Sequence, residues 1–337
     1  MTRLLRIAPF ALLALAAVAV PAAGSDYGVS FAIQVLVFVS LGYSWNLIGG
    51  YAGYTHFGQM SFFGIGAYSG TLLILNAGWH WLPAALAAGG IGALVALPLG
   101  GAMLRLKGPF FAIGMFGLTR VFESLALGFD GITQGGTGLY LPAPDSLVFA
   151  YAALVVVAAA LILLTWWLDN SRLGLKLLTI REDETAAEAL GIRTARLKVG
   201  AFVASAVAPA MVGSIYATYL GFIDPATAFA PSMELTTIAT VLLGGMGTVL
   251  GPLVGALGLS IVNELLWSRL PELYSGLVGL LVIGAVLYMP RGIVSFAIRR
   301  KWLPTGRGAF RRLARHHAAP AVPETVPKTT NVDPAHV

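Results

Sequence analysis

Long apolar segments dominate this sequence and limit its possible folds more than any other feature. About ten of them follow one another, and each has about 20 residues, the length that a helix needs to cross a bilayer. They cover residues 7–23, 28–49, 57–76, 81–104, 109–129, 147–168, 199–221, 233–249, 253–267 and 273–289. The sequence therefore predicts an all-α, polytopic transmembrane helical bundle of about ten spans. Little chain remains for a fused catalytic domain.

Composition narrows the classes of function. Only 11% of the 337 residues are charged, against about 25% in soluble domains, and 57% are hydrophobic. Cysteine is absent, which excludes disulfides, iron–sulfur clusters and thiol nucleophiles. The net charge of +6 comes from basic residues beside apolar segments, and basic residues in such positions set the orientation of a membrane protein. We therefore predict the lipid bilayer as the surroundings of this chain and no nucleic-acid partner.

Lysine and arginine occur in alternate loops between the predicted helices. They are Arg3, Arg6, Arg105, Lys107, Arg172, Lys176, Arg181, Arg193, Arg196 and Lys198, with nine more beyond residue 290. The opposite loops contain Arg269 as their one basic residue. Because cytoplasmic loops are enriched in Lys and Arg, both termini are predicted to be cytoplasmic.

Three regions are expected along the chain. Residues 1–292 form the transmembrane domain, residues 293–315 a basic cytoplasmic segment beside the membrane, and residues 316–337 a disordered tail. Residues 7–23 allow two interpretations, because basic residues, an apolar stretch and small residues also make a signal peptide. We favour an uncleaved helix, since the stretch is long enough to span a membrane.

Two glycine-rich segments interrupt the apolar pattern. Glycines let membrane helices approach closely, and a pair of glycine-interrupted segments also marks a translocation site in transporters. We expect helix packing at Gly53, Gly58, Gly64, Gly66, Gly244, Gly245, Gly247 and Gly251. Residues 57–76 are also polar enough to form a broken or re-entrant helix, which is tolerated only inside protein or beside water.

Few polar side chains lie within the apolar segments, and each allows a structural and a functional interpretation. His56, Gln59 and Ser61 either line a translocation path or are hydrogen-bonded structural groups. Arg120 and Glu123 share one helix face, so they are expected to form an ion pair. The alternative is that Arg120 transiently binds a substrate carboxylate.

The sequence contains no catalytic motif. The ATP-binding pattern G-x-x-x-x-G-K-[ST] does not occur, and the histidines lack metal-ligand spacing. Glu234 and Glu264 are expected near outer helix ends, where water reaches them. We therefore predict no catalytic residue, no metal ligand and no cofactor bound by this chain.

The cytoplasmic loop 169–198 has the pattern of a short amphipathic helix. Thr179 and Glu182 have the spacing of a capping box, which predicts a helix with Thr179 as its N-cap. Gly191 is suited to a left-handed helix stop. The helix is either a solvated connector or a docking element whose small alanine face enters a groove of a cytoplasmic partner.

Four blocks of the sequence resemble one family. They are GYAGYTHFGQMSFFGIGAY at 50–68, GGTGL at 135–139, REDETAAEALGI at 181–192 and LLGGMGTVLGP at 242–252. Together they are similar to the branched-chain amino acid permease family of bacterial ABC importers, specifically its M-type subunit. The resemblance implies that the loop couples the permease to an ATPase. Its coupling residues are then Glu182, Asp183, Glu184, Ala186, Ala187, Leu190 and Gly191.

The resemblance also implies partners and a location. The partners are a homologous second permease subunit, a pair of cytoplasmic ATP-binding subunits that use the ATP, and an extracytoplasmic substrate-binding protein. The location is the bacterial cytoplasmic (inner) membrane. His56 and Gln59 depart from the family pattern, which more often has Ser and His there, and this bears on substrate choice. Urea or short amides are an alternative substrate class, and an ion-coupled secondary transporter or channel is a rival function.

Overall fold

The computed structural model describes residues 25–142, 146–269, 276, 279–280 and 292–299. Its α-helices are α1 (Asp26–Trp45), α2 (Gln59–Ala77), α3 (Trp81–Met103), α4 (Pro109–Gly128), α5 (Asp130–Thr133), α6 (Leu147–Asn170), α7 (Arg172–Glu182), α8 (Glu184–Ala189), α9 (Thr194–Leu220), α10 (Pro225–Ala228), α11 (Pro231–Gly244), α12 (Gly251–Arg269) and α13 (Gly292–Arg299). A π-helix (Asn46–Tyr51) extends α1, and a 3-10 turn covers Gly135–Thr137. The strands are β1 (Leu139–Tyr140) and β2 (Phe222–Ile223).

Seven helical segments among the described residues are long and apolar enough to cross a membrane. They are Asp26–Tyr51, Gln59–Ala77, Trp81–Met103, Pro109–Gly128, Leu147–Asn170, Thr194–Leu220 and Pro225–Gly244, and Gly251–Leu266 is a shorter apolar helix. This confirms the predicted all-α, polytopic membrane fold, for which about ten spans is an approximate count. The predicted span 7–23 and most of the span 273–289 lie outside the described residues.

Helix α9 lies at the centre of the bundle. It packs most extensively against α3 and α2, and it also contacts α1 and α6. Small residues make this possible, because Ala210 of α9 lies between Gly66 of α2 and Gly92 of α3. A Cβ atom added at Gly92 would lie 2.6 Å from the Cβ of Ala210, well inside van der Waals contact. Close packing of this kind joins membrane helices, since lipid already solvates their apolar side chains.

Burial differs between the inner and outer helices. From Val35 to its end α1 is wholly buried, in contact with α6, α9, α11 and α12. In contrast, α4 exposes large apolar side chains that include Phe110, Ile113 and Val121. The exposed surface of α4 is thus apolar, as contact with lipid requires.

The helix interruption predicted for residues 57–76 lies before α2 and not within it. We expected a broken or re-entrant helix there, but α2 is continuous. The irregular backbone instead covers the π-helix Asn46–Tyr51 and residues 52–58. The indole N–H of Trp45 donates to the carbonyl oxygen of His56 over 2.7 Å, which folds this segment back toward α1. The glycines of α2 pack against neighbouring helices, so they do not break it.

A second interruption separates α11 from α12. Helix α11 ends before Gly245, which has a φ of +124°. Gly244 of α11 then faces Gly251 and Gly255 of α12 so closely that a side chain at Gly244 or Gly255 would displace the other helix, while one at Gly251 would collide with Gly245 of the turn. The two helices form a tight hairpin whose turn is residues 245–250.

The two ends of the bundle carry different structures. At one end β1 and β2 pair antiparallel, with Leu139 opposite Ile223 and Tyr140 opposite Phe222. At the other end α7 contacts the π-helix, and α8 contacts α7 and α9. Residues of the loop 169–198 therefore meet the interrupted end of α1.

Candidate functional site

A buried carboxylate binds the start of α2. Glu234 of α11 is 3% exposed and accepts a hydrogen bond from the backbone N–H of Met60 over 2.8 Å. The first N–H groups of a helix lack partners within it and carry partial positive charge, which favours an anion. Our expectation of a hydrated Glu234 near an outer helix end is wrong. The chain between β2 and α11 returns into the bundle and brings the first turn of α11 beside that of α2.

Helix α2 begins inside the bundle and not at a membrane surface. The side-chain amide of Gln59 donates to the carbonyl oxygen of Leu41 over 2.8 Å. Leu41 lies roughly 23 Å along α1 from Asp26, at 1.5 Å per residue. Since the hydrocarbon layer is about 30 Å thick, Gln59 and its neighbour Glu234 lie within the membrane-spanning part of the protein.

Two buried oxygen atoms lie at this point without a partner. Among the described residues, neither Glu234 Oε1 nor Gln59 Oε1 has a hydrogen-bond partner. Nearby, the hydroxyl groups of Ser61 and Thr119 are hydrogen-bonded to each other over 2.7 Å. We call Gln59, Ser61, Thr119 and Glu234 the central polar cluster. Buried acceptors that lack a donor are costly, so this cluster is suited to receive an N–H group from a transient ligand.

Arg120 and Glu123 form an ion pair on α4. Arg120 also donates to the carbonyl oxygen of Phe229, and its guanidinium lies 5.5 Å from the ring centre of Phe116. Its Nε has no partner among the described residues, and its charge attracts Glu234. Arg120 therefore borders the central polar cluster, while its binding of a substrate carboxylate stays a prediction.

His56 lies in an aromatic cluster. Its ring is 3% exposed, stacks on Phe202 at 5.3 Å and meets Phe111 edge-on at 6.0 Å. Its Nδ1 accepts a hydrogen bond from the backbone N–H of Gly58 over 3.0 Å, directly before α2. These contacts support a structural role for His56 in shaping the segment before α2. Its place along a path stays a prediction.

The loop 169–198 contains two helices and not one. The predicted N-cap at Thr179 is wrong, because Thr179 lies inside α7 and its hydroxyl donates to the carbonyl oxygen of Leu175. The second helix, α8, begins after Asp183, whose Oδ1 accepts from the backbone N–H groups of Thr185 and Ala186 over 2.8 and 3.0 Å. Asp is among the residues that suit an N-cap, and the helix begins after Asp183, four residues later than predicted.

The exposed face of α8 differs from the predicted alanine face. Ala187 is fully buried against this chain, so it fixes α8 to the protein and is not available to a partner. Ala186 and Ala189 are exposed, and the side chain of Leu190 is 75% exposed. Gly191 follows with a φ of +78°, the left-handed stop that we predicted.

A partly buried ion pair holds α8 on α9. Lys198 Nζ lies 2.5 Å from Glu184 Oε1 and donates to the hydroxyl of Tyr54 over 2.9 Å. The Tyr54 hydroxyl in turn donates to Glu184 Oε2 over 2.9 Å. Partial burial alone would raise the pKa of Glu184, but the hydrogen bonds from Lys198 and Tyr54 hold that pKa below its ordinary value. Glu184 therefore stays ionised and joins α8 to both α9 and the segment before α2.

Arg181 joins α7 to the two helix interruptions. Its Nη1 donates to the carbonyl oxygen of Gly50 over 2.6 Å, and a Cβ added at Gly247 would lie 2.9 Å from the same nitrogen. Asn46 connects the interruptions directly. Its Oδ1 accepts from the N–H of Gly247 over 2.8 Å, and its Nδ2 donates to the carbonyl oxygen of Thr248 over 3.3 Å. We call Arg181, Gly50 and Gly247 the Arg181 link.

The glycines predicted for helix packing fall into two groups. A Cβ would collide with a neighbouring ring or backbone at Gly64, Gly66, Gly244 and Gly251, which lie in helices, and with Met115 at Gly58, the residue before α2. Positive φ values occur at Gly53, Gly245 and Gly247. These three lie in turns, so the helix-packing prediction is wrong for them and their backbone conformation is what requires glycine.

Sequence reasoning missed several residues of these sites. Asn46, Tyr54 and Lys198 were not predicted as site residues. Glu234 was expected to be hydrated, and Arg181 was noted only as part of a motif. One signal was available, because Asn46 and Glu234 are polar residues inside or beside apolar segments. Their partners lie far away in the sequence and could not be read from it.

Comparison with protein families gives one match over most of the chain. The matching family is described as branched-chain amino acid transport system, permease component, and it covers residues 27–287. Comparison with solved structures gave no significant match.

Curated relatives include permease proteins of amino acid transport systems. The high-affinity branched-chain amino acid transport system permease protein LivM of Salmonella typhimurium is 28% identical over 325 residues, covering 86% of this chain and 75% of the relative. LivM of Escherichia coli K12 is 29% identical over 313 residues, with 82% and 72% covered. The corresponding permease protein LivH of Escherichia coli K12 is 27% identical over 291 residues, with 76% and 90% covered.

Proposed function

Because this chain belongs to the family of branched-chain amino acid transport system permease components, we propose that it is the transmembrane permease subunit of an ATP-driven importer of branched-chain amino acids. The family match over residues 27–287 carries this proposal. The chain is a multi-pass membrane protein. Its location is the bacterial cytoplasmic membrane, with both termini on the cytoplasmic side.

The chain acts with partner subunits and is not itself an enzyme. LivM and LivH are both permease proteins of the same kind of transport system, which supports pairing of this chain with a homologous permease. Two ATP-binding subunits hydrolyse ATP on the cytoplasmic side, and a substrate-binding protein delivers the amino acid from the other side. This chain binds no cofactor of its own.

Helix α8 is the docking element for an ATP-binding subunit. It is capped by Asp183, fixed to the protein through Ala187 and the Glu184–Lys198 ion pair, and ends at the exposed C-cap residue Leu190. A rigid helix with an exposed leucine is suited to a hydrophobic groove, because its conformation is already fixed before binding. A solvated connector would need none of these constraints.

The translocation path passes the central polar cluster. Among the described residues, Glu234 Oε1 and Gln59 Oε1 are acceptors without partners, and the nearby Arg120, whose charge attracts Glu234, has an Nε without one. An amino acid carries an ammonium group and a carboxylate, so acceptors and a cation near one another match its charges. This arrangement supports an amino acid over neutral urea as the substrate.

Uptake by proteoliposomes tests the function. The chain is reconstituted with the permease, ATPase and binding proteins encoded beside it, and uptake of labelled leucine is measured with and without internal ATP. We expect ATP-dependent uptake that excess leucine, isoleucine or valine abolishes and excess urea does not. The chain alone should neither hydrolyse ATP nor accumulate leucine. Proton-driven uptake by the chain alone would instead establish a secondary transporter.

Replacement of Leu190 tests the docking element. Leu190→Ala should reduce co-purification of the ATPase subunits, because it removes a large apolar side chain from the contact. The matched control is Leu94→Ala on α3, since Leu94 is similarly exposed at 72% but lies on a membrane-spanning helix. Equal recovery of the ATPases with both variants would identify α8 as a connector.

A further inference from the structure

The junction between α7 and α8 is tied to the membrane domain by one long side chain. Arg181 is the second-last residue of α7, and α8 begins at Glu184. A displacement of α8 reaches α7 through this junction, because only Asp183 separates the two helices. The contacts of Arg181 therefore provide one route from α8 to the membrane domain, beside the contacts of Glu184 with Lys198 and Tyr54.

Arg181 reaches backbone and not side chains in the membrane domain. Its Nη1 donates to the carbonyl oxygen of Gly50 over 2.6 Å. Gly50 lies in the π-helix, where the regular hydrogen-bonding pattern of α1 has already changed. Gly247 lies in the turn of the α11–α12 hairpin and approaches the same nitrogen. One guanidinium is thus hydrogen-bonded to the first interruption and packs against the second.

The glycines around Arg181 leave space for its side chain. A Cβ added at Gly53 would lie 2.7 Å from Cγ of Arg181, and one added at Gly247 would lie 2.9 Å from its Nη1. Both glycines also have positive φ, at +80° and +70°. Two separate turns therefore adopt conformations that fit around one arginine, which an exposed solvated cation would not require.

We propose that Arg181 is the positioning residue that transmits movement of α8 to both helix interruptions, so that ATP hydrolysis on the partner subunits drives transport. The proposal rests on the proposed function and extends it to one side chain. The Glu184–Lys198 ion pair holds α8 against α9, whereas Arg181 is hydrogen-bonded to the π-helix after α1 and packs against the hairpin turn. Asn46 makes the two interruptions move together, since it bonds to Gly247 and Thr248.

If Arg181 has this role, its loss affects the coupling of ATP hydrolysis to transport and not the assembly of the complex. The exposed surface of α8, and with it the contact to an ATPase, does not include the Arg181 guanidinium. Loss of the link should therefore leave the complex assembled and hydrolysing ATP while less substrate moves per ATP. A residue with only a structural role would lower assembly, hydrolysis and uptake together.

The test compares Arg181→Gln with Lys176→Gln in the full reconstituted complex. Both variants remove one positive charge from α7, but Lys176 is exposed. The measurements are co-purified ATPase, ATP hydrolysis and leucine taken up per ATP. Loss of a hydrogen bond from a charged donor corresponds to a factor of about ten or more in an equilibrium constant. We expect Arg181→Gln to lower leucine per ATP by at least about tenfold, Arg181→Lys to recover part of it, and Lys176→Gln to match wild type.

A second pair of variants leaves Arg181 unsubstituted. Gly247→Ala would push against Arg181 Nη1 and the carbonyl oxygen of Gly50, whereas Gly78→Ala has no neighbour within 4 Å. The two glycines have similar φ values of +70° and +65°, so the backbone strain is matched. We expect only Gly247→Ala to lower leucine per ATP.

Three outcomes would overturn the inference. The first is an unchanged leucine-to-ATP ratio in both Arg181→Gln and Gly247→Ala. The second is a parallel loss of assembled ATPase, hydrolysis and uptake without recovery in Arg181→Lys, which would make Arg181 structural. The third is absence of ATP-dependent uptake in the wild-type complex, which would reject the proposed function itself.

Discussion

The packing of α3 on α9 gives a quantitative prediction about a single methyl group. In Gly92→Ala the new Cβ would lie 2.6 Å from the Cβ of Ala210 and 3.2 Å from the carbonyl oxygen of Ala206. Ordinary van der Waals contact begins at 3.4 Å, so one helix must move by 3.4 minus 2.6, or 0.8 Å, at this point. Overpacking of a well-packed interior costs about 1–3 kcal/mol. We expect a loss of stability of that size.

Gly90→Ala is the matched control, because it adds the same methyl group to the same helix two residues away. Gly90 is exposed and has no neighbour within 4 Å. Both substitutions gain the same helix propensity, about 0.5–1 kcal/mol, so the difference between the variants isolates the strain against α9. Gly90→Ala should be neutral or slightly stabilising.

The assay is equilibrium unfolding of each purified variant by SDS in mixed micelles, followed by tryptophan fluorescence. The free energy of unfolding should be lower for Gly92→Ala than for Gly90→Ala by about 1–3 kcal/mol. Leucine uptake by the complex should fall in the same order. If both variants unfold at the same SDS fraction, α3 and α9 are not held together by close backbone approach, and the packing argument fails.

Three other predictions concern charge and orientation. Glu184→Gln should destabilise the protein by about 1–3 kcal/mol because it leaves Lys198 buried without an ionic partner, and Glu184→Gln/Lys198→Met should recover most of the loss. The folded-state pKa of Glu184 lies below its unfolded value of 4.5. Its contribution to the free energy of unfolding is therefore complete above pH 4.5 and is lost as the pH falls through the folded-state pKa. In that pH range wild type should lose stability more steeply than Glu184→Gln. Glu234→Gln should fold, because it keeps an acceptor for the start of α2, but transport leucine more slowly; unchanged uptake would show that the carboxylate charge is not needed. In this cysteine-free chain, Gly131→Cys should react with an impermeant thiol reagent from outside and Ala189→Cys only after permeabilisation, and the reverse pattern would overturn the orientation.

Local pattern was sufficient to predict the membrane helices. Apolar stretches of about 20 residues have few alternatives to a spanning helix, because the bilayer offers no hydrogen bonds to an irregular backbone. The glycine stop at Gly191 was also predictable, since few other residues adopt its conformation. The position of the first interruption was not. The glycines of α2 fit inside a regular helix wherever a neighbouring helix fills the space, and the sequence does not show that neighbour.

The error at Glu234 has a specific physical cause. The sequence places Glu234 close to the start of an apolar segment, and a helix that starts at the membrane surface would leave it in water. Here the chain after β2 re-enters the bundle before α11 starts. The start of α2 lies at the same depth, so the carboxylate finds the N–H of Met60 instead of water. The depth at which a helix starts within the bundle depends on tertiary contacts alone.

The strand pair β1–β2 has a consequence for the order in which the protein is made. Its two strands lie on either side of α6 to α9, and the pairing is continued by a hydrogen bond from the N–H of Leu141 to the carbonyl oxygen of Gly221. At ribosomal rates of about 5–20 residues per second, the second strand emerges on the order of ten seconds after the first. During that interval β1 has no strand partner. The insertion machinery must release β1, and it must still place α9 beside helices that have already entered the lipid. Pairing of β1 with β2 thus marks the moment at which the two halves of a nascent chain have met.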